Sequence, residues 1–98
     1  MEKQLRGQLT NRIKEKSKEI LGYEISRTEL RLMAYVQYVM VNEQKINPNM
    51  CNRDDRKILQ KWRKKNFIDG GILELSITKE FWDAMCEILF LGYVDLSE

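Results

Sequence analysis

The chain has 98 residues, with 17 Lys/Arg against 15 Asp/Glu, no histidine, 43% hydrophobic and 33% charged residues. This balance suits one small folded domain with a single core and excludes a disordered chain. Without histidine, the serine–histidine and cysteine–histidine nucleophile systems and the usual zinc and iron sites are ruled out. The sequence therefore predicts a binding protein, with no enzymatic activity, no metal and no cofactor.

No apolar run approaches the roughly 18 residues of a membrane span. The opening residues MEKQLRGQLT lack the apolar block of a signal peptide. The expectation is a cytoplasmic protein without membrane contact. Cys51 and Cys86 form no CxxC pair and are expected to be two buried thiols. The small net charge of +2 conceals an asymmetry, because residues 1–68 carry +8 and residues 69–98 carry −6. Such a split favours a polyanion-facing side or head-to-tail contact between copies.

Residues 1–21 read as a first, peripheral amphipathic helix. Leu5, Leu9, Ile13 and Ile20 make a narrow apolar stripe, and Gly22 is a C-terminal stop. The stripe suits packing against the same domain or, as a self-association surface over residues 1–20, against a second copy. Residues 26–43 read as the central helix. Ser26 is its N-cap, Glu29 is placed to close a capping box, and Ile25 with Leu30 form a staple. Its apolar residues, Tyr38 and Val41 among them, cover most of the circumference, which predicts a helix buried nearly all round.

Asn47-Pro48-Asn49 marks a loop. Asn52 then caps a third helix with Asp54 and Asp55 in its first turn. Ile58, Leu59 and Trp62 form its apolar face, and Asn66 is suited to the left-handed turn that ends it. A strand at Phe67-Ile68, a turn at Asp69-Gly70-Gly71 and a strand over residues 72–77 follow. Thr78 caps the last helix, which Gly92 is expected to end before a final strand over residues 93–96. Asn66-Phe67-Ile68-Asp69 parallels Gly92-Tyr93-Val94-Asp95, which predicts that both helices feed one sheet.

The fold class expected is α+β and mostly helical, a single domain over residues 1–98. About four helices accompany a two- or three-stranded antiparallel sheet. Residues 52–98 form a helix–hairpin–helix–strand unit.

Two surfaces are candidates for function. The basic helix carries Arg53, Arg56, Lys57, Gln60, Lys61, Lys64 and Lys65, and a glycine hairpin follows it. That order resembles a winged helix-turn-helix in outline. In that arrangement Lys57, Lys61 and Lys64 contact phosphates while Arg53, Arg56 or Gln60 reach base edges. Against it stand Asp69 and Glu74 in the turn and the long loop before the helix. The second candidate is the acidic face Glu80, Asp83 and Glu87 of the last helix, suited to a basic protein surface. The function expected is a small regulatory protein that binds nucleic acid through residues 53–65. The alternative is a protein-binding inhibitor or adaptor of the compact type found in mobile elements, which acts by covering a partner's surface.

Overall fold

A computed structural model describes residues 8–42, 45–47, 49, 51–70 and 75–94. Four helices and one two-stranded antiparallel hairpin follow in the order α1 (Asn11–Leu21), α2 (Arg27–Val41), α3 (Arg53–Lys64), β1 (Ile68–Asp69), β2 (Ser76–Ile77) and α4 (Lys79–Tyr93). The α+β, mostly helical class is thus the one the sequence predicts.

Local chemistry sets most boundaries. Thr10, Ser26, Asn52 and Thr78 each accept a hydrogen bond from the third backbone N–H of the helix they open, so each satisfies one orphan donor. At Asn52 the bond is reciprocated. Asp55 Oδ2 accepts from the Asn52 N–H at 3.1 Å while Asn52 Oδ1 accepts from Asp55 at 2.8 Å, a complete capping box. Gly22 closes α1 with φ +87°, and Asn66 ends the turn after α3 with φ +62°. These left-handed positions favour glycine and asparagine.

The core gathers one face of every helix. Ile13 of α1, Leu30, Met33 and Val36 of α2, Leu59 and Trp62 of α3, and Phe81, Met85 and Ile88 of α4 are buried together. Trp62 meets the Phe81 ring edge-on at 4.9 Å, and Phe67 stacks on Phe81 at 4.6 Å, which seats the hairpin against α3 and α4. Helix α1 packs chiefly on α4, and α2 packs on both α3 and α4. The apolar stripe of α1 is therefore used within the chain. Ser17, fully buried, accepts from the Ile25 N–H at 3.1 Å and donates to the Lys14 carbonyl at 2.9 Å. One hydroxyl thus fastens the α1–α2 connection to α1.

Several expectations need correction. Helix α1 begins at Asn11, after a Thr10 held in an extended conformation; its expected first seven residues lie outside those described. The capping box at Ser26 is half formed, because the Glu29 side chain turns inward instead (below). Gly92 does not end α4 but lies within it, and Tyr93 is helical. The expected strand over residues 93–96 is thus absent at Tyr93 and Val94, and residues 95–96 lie outside those described. The likeness between the two helix endings therefore does not produce two strands. β2 is seen at Ser76–Ile77, paired Ile68 with Ile77 and Asp69 with Ser76; residues 71–74 lie outside the described set. Tyr38 and Val41 are 62% and 65% exposed, so α2 is not buried all round.

Gly92 illustrates why pattern and structure part. A Cβ there would lie 3.4 Å from Ile13 Cδ1 and 3.7 Å from Leu30 Cδ1, so the small residue sits where α1, α2 and α4 converge. Those are tight but ordinary contacts, and alanine gains about 0.5–1 kcal/mol of helix propensity over glycine. Gly92→Ala should leave urea stability unchanged or raised by about that amount, while Gly92→Leu, which overpacks the junction, should lower it by about 1–3 kcal/mol.

Candidate nucleic-acid interface

Helix α3 presents two opposed faces. Leu59 and Trp62 are 1% and 0% exposed against the core. At 100° per residue, the positions opposite them are 53, 57, 60 and 64, spaced i, i+4, i+7 and i+11. Arg53, Lys57, Gln60 and Lys64 are all exposed, and Arg56 flanks them. The stripe runs for roughly 16 Å at 1.5 Å per residue. It contains no acid: Asp55 is turned back into the capping box, and Asp54 lies about a quarter-turn away.

The other cations of the segment are engaged. Arg63 Nε donates to the Gly70 carbonyl at 2.9 Å, tying α3 to the hairpin turn. Arg56 Nε reaches the Cys51 carbonyl at 3.5 Å. The Lys65 ammonium lies 4.9 Å from the centre of the Tyr23 ring. Lys61, expected to contact phosphate, borders the stripe but turns its side chain toward α2. Its ammonium lies 2.9 Å from Glu29 Oε1 and 4.1 Å from the centre of the Tyr23 ring.

Glu29 is the buried pole of this arrangement, 1% exposed. Its carboxylate accepts from Lys61 Nζ, from the Trp62 indole Nε1 at 2.8 Å and from the Tyr23 hydroxyl. A buried carboxylate is tolerated when its lone pairs meet donors and a cation compensates its charge. Burial, and then the hydrogen bond to Glu29, push the Tyr23 phenol well above its ordinary value, so it serves as a donor throughout the neutral range. Tyr23 precedes α2, Glu29 belongs to α2, and Lys61 and Trp62 belong to α3. Two adjacent residues of α3 gripping one carboxylate fix the rotation of α3 about its axis. That rotation is what turns the stripe from Arg53 to Lys64 outward.

Helical spacing in the sequence puts Arg53, Lys57, Gln60 and Lys64 on one face but groups Lys61 with them, because it does not reveal this network. An acid at the third position after a serine cap looks like a local capping partner, and the Trp62 donor is 33 residues away. The one clue was indirect, since an indole N–H buried with Trp62 needs an acceptor. The acidic candidates Glu80, Asp83 and Glu87 are all exposed on α4, and the structure does not join them to the basic stripe. Cys51 and Cys86 are free thiols. Burial raises the Cys51 thiol, with Asp55 adding to the effect, so it stays protonated and inert. Among the described residues, no helix is long and apolar enough to cross a membrane.

Comparison with protein-family models, curated proteins and solved structures finds no match for this chain.

The network predicts a graded mutational response. Glu29→Ala leaves the Trp62 indole and Tyr23 hydroxyl without their acceptor and should cost about 3–5 kcal/mol. Lys61→Met should cost less, because the Lys61 side chain is 39% exposed and its ion pair is partly screened. Urea denaturation followed by Trp fluorescence measures both.

Proposed function

We propose that the protein is a small non-enzymatic regulator that binds nucleic acid through the exposed stripe of α3. The observation that carries this reading is the outward line of Arg53, Lys57, Gln60 and Lys64, held opposite the buried Leu59 and Trp62. Cations at helical spacing match a run of phosphates, and the flat amide of Gln60 in their midst can address a base edge. The hairpin after α3 supports the same reading, since it stands where a winged helix carries its wing. Asp69, exposed in β1, keeps that hairpin from adding positive charge, so α3 supplies most of the affinity. Lys61 acts at one remove: through Glu29 it helps hold the stripe outward and does not touch phosphate.

Affinity for a labelled duplex should fall steeply with salt. Contacts from three cations to about three phosphates give a log–log slope near −2.7, about fortyfold between 50 and 200 mM. Arg53→Glu, Lys57→Glu and Lys64→Glu combined should abolish binding without unfolding the chain, because all three side chains are exposed. Fluorescence anisotropy checks both. The reading fails if the wild-type chain shows no salt-sensitive binding to duplex DNA or RNA, or if the triple variant binds as well as the wild type.

A further inference from the structure

Helix α3 stands largely clear of the body of the fold. Two of its twelve residues, Leu59 and Trp62, are buried, against six of fifteen in each of α2 and α4. It rests on α2 and on the hairpin, and its residues 53, 54, 56, 57, 60 and 64 are exposed. A helix is about 10–12 Å across with its side chains. The major groove of B-form DNA, about 12 Å wide, admits such a rod, and the minor groove, about 6 Å wide, does not. The major groove of an RNA duplex is too deep and narrow for side chains to read. The shape of α3 thus distinguishes between duplexes that its charge alone would treat alike.

Within the exposed stripe, Gln60 is the one side chain without charge. It lies three residues after Lys57 and four before Lys64, so each flanks it at about one helical turn. Its amide is exposed and joins no hydrogen bond among the described residues. A neutral amide adds nothing to the attraction between cations and phosphates, which is indifferent to sequence. What it offers is an acceptor and a donor side by side. Adenine presents the complementary pair, the N6 amino group and N7, on its major-groove edge. The position along the helix agrees. A straight helix comes closest to the floor of a curved groove near its middle, where Gln60 lies, while Arg53 and Lys64 at its two ends fall toward the sugar–phosphate ridges.

We propose that the target of α3 is B-form DNA, entered through the major groove, and that Gln60 selects an adenine there. The inference rests on the nucleic-acid reading above and narrows it. Arg53, Lys57 and Lys64 supply affinity for a phosphate backbone, the free ridge of α3 restricts that affinity to a groove wide enough to hold it, and Gln60 sets the preferred base.

The full chain, titrated by fluorescence anisotropy against a DNA duplex and an RNA duplex of the same sequence, should bind the DNA at least about tenfold more tightly. A DNA pool with a randomised centre, enriched on the wild-type chain and sequenced, should converge on an A·T pair at one fixed position. Replacing that pair with G·C should weaken binding about five- to a hundredfold. Gln60→Ala should keep salt-sensitive binding and lose the preference at that position alone. Gln60→Arg should move the preference to guanine, whose O6 and N7 an arginine takes bidentately. Three results would overturn the inference while leaving the nucleic-acid reading in place: RNA bound as tightly as DNA, no enriched adenine, or an adenine preference that survives Gln60→Ala. The absence of salt-sensitive binding to either duplex overturns both.

Discussion

Glu29 is a carboxylate with almost no contact with water, and much of the molecule is arranged to make that tolerable. An isolated charge in such a position would be prohibitively costly. Here the connection before α2 supplies a phenol and α3 supplies an indole and an ammonium. The constraint acts in both directions. Glu29 needs those donors, and Trp62, buried in the core, needs an acceptor for its one polar atom. A hydrophobic core alone would let α3 roll by a fraction of a turn while keeping Leu59 covered. The hydrogen bonds are directional and remove that freedom.

The exposed chemistry follows from this registration. Once Lys61 and Trp62 face Glu29, the positions 53, 57, 60 and 64 have no direction left except outward. The basic surface is thus a consequence of how the polar core is satisfied, and three of the seven candidate side chains are engaged elsewhere, Lys61 by Glu29, Lys65 by the Tyr23 ring and Arg56 by the Cys51 carbonyl. On the far side, α2 and α4 leave an apolar groove between them.

Much of this was legible in the sequence where the determining contacts are local. Caps at Ser26, Asn52 and Thr78, the left-handed stops at Gly22 and Asn66, and the apolar phase of α3 all depend on residues within one or two turns. What the pattern could not show depends on distant partners. Glu29 fits a capping box by spacing, yet its carboxylate is drawn inward by Trp62. Gly92 has the look of a helix stop, yet it is helical and sits where Ile13 and Leu30 converge on α4. Tyr38, Val41 and Phe90 have the composition of core residues, and periodicity cannot distinguish an apolar face that is covered from one left open.

The central claim is that the Glu29 carboxylate holds α3 in place through the Trp62 indole, and the indole proton itself reports on it. The chain has two tryptophans, so Trp82, half-buried on α4, is an internal control. Hydrogen exchange of the two indole N–H groups, followed by nitrogen–proton NMR, is the direct measurement. The account predicts that the Trp62 indole exchanges far more slowly than that of Trp82 and is less protected in Glu29→Gln, where a neutral amide oxygen is a weaker acceptor than the carboxylate. Equal and rapid exchange of both indoles in the wild type, or protection of Trp62 unchanged by Glu29→Gln, would contradict it.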